Sequence, residues 1–85
     1  MATYKILYWQ EIPSQVKAED DVDDVTLPLA PKFMERIDQL AEQRGLQGSD
    51  DYLAGWRWSD EQEREGAAGE VAEVVKAELE AQADW

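Results

Sequence analysis

The side chains that could do chemistry in this 85-residue chain are mostly carboxylates, and they are densest in residues 19–24. Five of these six residues are Asp or Glu, and Ca²⁺ prefers oxygen ligands of this kind. A calcium-binding loop also needs glycine at its sixth position and glutamate at its twelfth, which this run does not supply. We therefore expect no bound metal and a solvated hairpin tip, with diffuse cation binding left open.

The groups that most often act as nucleophile, base or metal ligand are missing from the sequence. The chain contains no cysteine and no histidine. This excludes disulfides, cysteine-based zinc or iron–sulfur ligation, and any Ser–His–Asp or Cys–His arrangement within the chain. Carboxylates are so abundant that no pair stands out as a general acid and base. We expect a protein that is not an enzyme and has no cofactor.

The charge balance limits the classes of partner. The chain carries 20 acidic and 8 basic residues, a net charge of −12. Such a field repels anionic membranes and nucleic acids, whose affinity depends mainly on phosphate contacts. The N-terminal residues lack the apolar segment and cleavage site of a secretory signal, and no stretch is long enough to span a membrane. We expect a cytoplasmic protein that binds neither nucleic acid nor membrane.

Residues 4–17, YKILYWQEIPSQVK, predict two strands joined by a turn. Aliphatic and aromatic side chains fill residues 4–9 and favour β-structure. Pro13 predicts the turn, because proline fixes φ and cannot donate a ladder hydrogen bond. Side-chain alternation gives the two strands a core side and an outward side. The core side holds Tyr4, Ile6, Tyr8 and Val16, and the outward side holds Lys5, Leu7, Trp9, Gln15 and Lys17.

The rest of the chain supplies two more strands and two helices. An apolar stripe predicts a helix over residues 31–44 that ends at Gly45. A second helix is expected from about residue 67 to about residue 82. Residues 52–58 predict the fourth strand, although their first part could instead form one helical turn. The polar residues 59–65 could prolong that strand, form a loop or start the last helix.

The element order predicts the architecture. Residues 25–29 alternate as the third strand, so the order is β-β-β-α-β-α in a single α+β domain of residues 1–85. We expect a mainly antiparallel, four-stranded sheet with two helices packed on one face. The other face stays open because two helices cover only one side.

Basic and aromatic side chains are predicted to meet on this open face. Our candidate interaction surface consists of Lys5, Leu7, Trp9, Gln15, Lys17 and Arg57. An indole offers stacking and cation–π contacts, and the basic groups suit carboxylate or phosphate. The alternative is that the lysines are ordinary cross-strand neighbours of acidic residues and that Trp9 fills a cluster beneath a loop. Trp56 and Trp58 are expected to anchor the small core, with an interaction cluster as the alternative.

The chain resembles a known bacterial family. The resemblance is carried by Tyr8-Trp9, Ile12-Pro13 and Gln15-Val16, by the helix FMERIDQLAEQRGL, and by GSDDYLAGWRW with EVAEVV. These segments are similar to the small "virulence factor" proteins and to the C-terminal domain of conserved virulence factor C proteins. Larger relatives join this domain to HEAT-like repeats and to a segment similar to the N-terminal domain of Nfu/NifU iron–sulfur scaffolds.

The resemblance implies an accessory role and carries no catalytic residues over to this sequence. Our first hypothesis is a non-enzymatic module that binds a protein partner through the open face. The alternative is a small regulatory subunit that binds an anionic metabolite at Lys5, Lys17 and Arg57, for an enzyme of one-carbon or metal-cofactor metabolism. Homodimerisation through the same face is a third possibility.

Overall fold

The computed structural model describes residues 1–46, 48 and 50–83 and confirms the α+β class. Within these residues, no helix has both the length and the apolar character needed to cross a bilayer. The strands and helices, in chain order, are β1 Ala2–Trp9, β2 Ile12–Glu19, β3 Asp24–Pro28, α1 Pro31–Gln43, α2 Asp50–Ala54, β4 Trp56–Trp58, β5 Gln62–Arg64 and α3 Ala68–Gln82.

The sheet is antiparallel throughout and is organised around β1. Strand β1 pairs with β2 along one edge, and β2 pairs with β3. On its other edge, β1 pairs with β4 through Leu7–Trp9 and with β5 through Ala2–Tyr4. Between these two short strands, the Ile6 N–H donates to Ser59 Oγ at 2.9 Å and the Ser59 N–H donates to the Ile6 carbonyl at 2.8 Å. Residues 59–61 therefore connect the fourth strand to a further short strand, β5, on the same edge of β1, and the sheet has five strands where four were predicted.

The first hairpin turns earlier than the proline suggested. The turn lies at Gln10, which has a φ of 52°, and Glu11, so Pro13 lies inside β2. Leu7 pairs with Gln15 but Tyr8 pairs with Pro13, which leaves Ser14 as an extra residue in a β-bulge. A bulge accommodates a proline because the ladder hydrogen bonds are interrupted there. The turn thus lies within the predicted stretch, residues 10–14, but Pro13 belongs to β2 and does not form it.

The two long helices begin and end close to the predicted residues. Pro31 lies in the first turn of α1, and Gly45, with a φ of 67°, follows its last turn. The Leu46 N–H donates to the Ala41 carbonyl at 2.8 Å and the Gly45 N–H to the Glu42 carbonyl at 3.1 Å, which is a Schellman termination. Helix α3 contacts β1, β2 and β3, and α1 contacts β2. Together they cover the core side of the sheet.

The segment before β4 differs from a continuous strand. Residues 50–54 form α2, so only Trp56–Trp58 is extended, as the helical alternative for this stretch allowed. The sequence also suggests a helix cap at Ser49 and a frayed chain end at Trp85, but both positions lie outside the described residues. The core beneath these elements is apolar throughout. Its buried members are Ala2, Ile6, Trp9, Ile12, Val16, Ala18, Leu29, Phe33, Ile37, Leu40, Ala41, Ala68, Val71, Ala72 and Val75.

Helix α3 is tied to both ends of the β3 segment by carboxylates. The N–H of Ala68, in its first turn, donates to Asp20 Oδ2 at 2.8 Å. At its far end, Glu80 Oε2 accepts the N–H of Ala30, which precedes α1, at 2.8 Å. Neither α1 nor α3 has a side-chain cap of its own at its first residue. Tertiary contacts thus satisfy N–H groups near both helix starts.

Candidate functional site

Five side chains share the sheet face that α1 and α3 leave uncovered. Lys5 lies directly opposite Lys17, and Leu7 lies between Gln15 on one side and Trp58 on the other. Directly paired residues in antiparallel strands project from the same face. None of the five is buried. We call this surface, made of Lys5, Leu7, Gln15, Lys17 and Trp58, the open face.

Within the described residues, neither Lys5 nor Lys17 forms an ion pair. The Lys5 ammonium instead lies 4.9 Å from the centroid of the Trp58 ring, a cation–π distance. The alternative that the lysines are cross-strand neighbours of acidic residues is wrong for Lys17, which lies between Lys5 of β1 and Thr26 of β3. The salt bridges that the described residues do contain are Arg44–Glu11, at 2.7 Å, and Arg64–Glu78, at 3.1 Å.

Acidic residues on the same face are grouped in the next row of side chains. Thr3 lies opposite Glu19 of β2 and Glu63 of β5, and Glu19 in turn lies opposite Asp24 of β3. This row is two residues along the strands from the lysine pair, or about 7 Å. On this side of the sheet, a row of carboxylates therefore lies next to the two lysines of the open face, and Leu7 and the Trp58 indole form the row beyond them.

Trp9 was predicted to present its indole on this face, and this prediction is wrong. The Trp9 side chain leaves β1 on the same side of the sheet as Leu7, but it is 0% exposed. Its ring lies 5.6 Å from the ring of Tyr52, and its Nε1–H donates to the Tyr52 carbonyl at 2.9 Å. Gly55 also packs directly on the indole. The alternative placed Trp9 in a cluster beneath a loop. The structure does bury Trp9, but as part of the main core cluster and beneath α2 with the turn that follows it.

Arg57 also lies away from the predicted surface. It pairs with Tyr8, on the opposite phase from Leu7, and its guanidinium carbon is 5.1 Å from the Tyr8 ring centroid. Its Nη2 donates to the Gln10 carbonyl at 3.2 Å. The residue that β4 contributes to the open face is Trp58, which is 42% exposed and was expected in the core. Correct pairing of β4 with β1 would have found it, but three residues contain too little pattern to fix a register.

The acidic run at residues 19–24 contains a turn that the Asp20 carboxylate stabilises. Asp20 Oδ1 accepts the N–H groups of Asp23 at 2.7 Å and Val22 at 2.8 Å, while its other oxygen accepts the Ala68 N–H. Hydrogen bonds from Asp23, then Ala68, then Val22 hold the pKa of the Asp20 carboxyl below its usual value. In the part of the chain that the structure describes, no three acidic side chains are placed to hold a metal ion.

A concave site lies on the helix-covered side of the molecule. It has a volume of about 210 Å³, and Tyr8, Pro13, Phe33 and Leu79 line it with polar residues at the rim. It collects side chains from β1, β2, α1 and α3, which places both long helices over the same face of the sheet. Neither Lys5 nor Lys17 lines it.

These features define a small α+β sheet domain with one face covered by helices and one face open. A model of the virulence factor family matches residues 7–84, and the chain belongs to that family. The family resemblance seen in the sequence is thereby confirmed. No curated protein and no solved structure matches the chain significantly.

Proposed function

We propose that this chain is a non-enzymatic interaction or accessory module that holds another protein on its open face. The observation that supports the proposal is an exposed indole beside two lysines that form no ion pair with any described residue. Trp58 is 42% exposed, so it contributes little to the core, and Lys5 and Lys17 gain no ion pair in the described residues. Tryptophan is enriched among the residues that dominate binding energy at protein interfaces, and its ring can make stacking and cation–π contacts.

The position of the surface also suits this role. The open face is formed by β1, β2 and β4. The other side of β1 and β2 packs against the core and the long helices, and β4 is held by its pairing with β1 and its contact with α2. A binding surface on paired strands is held in place before the partner arrives, which lowers the entropy cost of binding. Substitutions on this face remove few core contacts, so binding and folding can be separated by experiment.

Site-specific photo-crosslinking in the native host tests the proposal. A benzophenone amino acid at Gln15 reports on the open face, and the same group at Glu73, exposed on α3, is the matched control. We expect a defined protein adduct from position 15 that is absent from position 73 and is lost with Trp58→Ala, while circular dichroism stays unchanged. Equal adducts from both positions would contradict the proposal, as would a metabolite that binds through the lysines in place of a protein.

A further inference from the structure

The two lysines of the open face lie directly opposite each other, so each has a like charge as its cross-strand partner. Lys5 and Lys17 are direct cross-strand partners, so their Cβ atoms lie about 5 Å apart and their charges repel. The chain has 20 acidic residues, yet none pairs with either ammonium group in the described structure. A carboxylate placed between the two lysines would relieve this repulsion and form charge-assisted hydrogen bonds to both.

The neighbouring row offers an apolar contact at a defined distance. Leu7 and Trp58 lie two residues along the strands from Lys5, a backbone spacing of about 7 Å, and the Lys5 ammonium lies 4.9 Å from the Trp58 ring centroid. A partner that bears a carboxylate and an apolar or aromatic side chain at this separation can engage both rows at once. Such spacing occurs between residues i and i+2 of an extended segment and, at about 6 Å, between residues i and i+4 of a helix.

We propose that the partner presents an acidic segment, with a carboxylate bound between Lys5 and Lys17 and an adjacent apolar or aromatic side chain packed on Leu7 and Trp58. This inference rests on the proposed function, because it names the chemistry of the partner on the same face. The occupant is a segment of another protein rather than a second copy. A second copy docked face to face would bring its own lysine pair towards this one.

Polyanions suit the face less well than a short acidic segment does. Nucleic acids carry phosphates at regular, close intervals, and these would meet the carboxylate row that contains Glu19 and Glu63 about 7 Å from the lysines. One or two carboxylates reach the lysine pair without contacting that row. The net charge of the chain is screened beyond about 8 Å at physiological salt, so short-range pairing at the lysines dominates close contact.

Selection from a random dodecamer peptide library on the full 85-residue chain tests the inference. We expect enriched peptides to combine Asp or Glu with an apolar or aromatic residue two or four positions away. Their affinity should fall about tenfold or more with Lys5→Gln/Lys17→Gln, because two charge-assisted contacts are lost. It should fall similarly with Trp58→Ala and stay unchanged with Lys32→Gln, a control on the exposed surface of α1. Rising salt should weaken binding.

A second measurement separates binding from folding. Lys17→Gln removes the like-charge contact, so its Tm should equal or exceed that of the wild type although peptide binding is weakened. A lower Tm would show that Lys17 serves the fold, and would overturn the inference.

The outcomes separate the inference from the proposed function. Peptides that need Trp58 but contain no acidic residue would overturn the acidic partner and leave the interaction module standing. Peptides that ignore both the lysine and the tryptophan substitutions would overturn both. A library that yields no lysine-dependent peptide, or a dimer in light scattering that Trp58→Ala abolishes, would also overturn the acidic partner.

Discussion

Gly55→Ala probes the contact that buries Trp9. A Cβ added at Gly55 would lie 2.8 Å from Trp9 Nε1, 3.1 Å from its Cε2 and 3.2 Å from its Cδ1. The indole has little freedom to retreat, because it is 0% exposed and its Nε1–H is bonded to the Tyr52 carbonyl. The methyl group therefore overpacks the site, and the glycine is required for space rather than for an unusual φ.

The expected loss is a sizeable part of the total stability. Overpacking of this kind costs about 1–3 kcal/mol, whereas a domain of this length has a free energy of unfolding of roughly 4–13 kcal/mol. Trp9→Phe removes the pyrrole atoms that the new Cβ would meet, and loses one hydrogen bond worth about 1 kcal/mol. In the Trp9→Phe background, Gly55→Ala should cost at least about 1 kcal/mol less than in the wild type.

Urea unfolding followed by circular dichroism at about 222 nm measures the four members of this cycle without relying on tryptophan fluorescence. Gly69→Ala is the matched control, because nothing lies within 4 Å of a Cβ at Gly69 and the residue is inside α3. This control should stabilise the protein by roughly 0.5–1 kcal/mol. A Gly55→Ala cost below about 0.5 kcal/mol, or one unchanged by Trp9→Phe, would refute the close contact.

Three further predictions concern the carboxylate ties and the open face. Asp20→Asn should speed hydrogen exchange at the Ala68 amide. The folded state lowers the pKa of Asp20. The carboxylate therefore stabilises the fold above its unfolded pKa near 4, and this stabilisation is lost as pH falls through the folded-state pKa. Asp20→Asn should lose less stability than the wild type over this pH range. If urea titrations show that Asp20→Asn and the wild type lose the same free energy of unfolding as pH is lowered, the prediction is wrong. Glu80→Ala should cost about 1 kcal/mol in urea unfolding by leaving the Ala30 N–H without its partner, and an unchanged midpoint would argue against that bond. Trp58→Ala should keep the fold and change stability by no more than about 1 kcal/mol; an unfolded variant by circular dichroism would place Trp58 in the core.

Features that depend on local sequence could be predicted. Helix α1 follows from its apolar stripe, Pro31 and Gly45, all of which act within a few residues of one another. The start of α3 near residue 68 follows from Gly66 and the apolar residues after it. The outward positions of Lys5 and Lys17 follow from strand alternation alone.

Features that depend on contacts between distant segments could not be predicted. The position of Trp9 on the outward phase was correct, but its burial depends on α2, which returns from more than 40 residues away and lies on the indole. Gly55 was the available signal, since a glycine next to a strand often marks a close approach of another group. Trp58 lies on the open face in place of the predicted Arg57 because of the register between β4 and β1, and tertiary packing sets that register.

The two edges of β1 are completed at very different times during synthesis. Strand β2 follows after a two-residue turn, whereas β5 returns to Ala2–Tyr4 about 60 residues later. At typical translation rates of 5–20 residues per second, the second edge stays unpaired for roughly 3–12 s. During that interval the free edge of β1 in the nascent chain presents unpaired N–H and C=O groups. These groups can pair with a strand of another chain and so lead to aggregation. We therefore expect the yield of folded protein to depend on how rapidly β4 and β5 pair with β1.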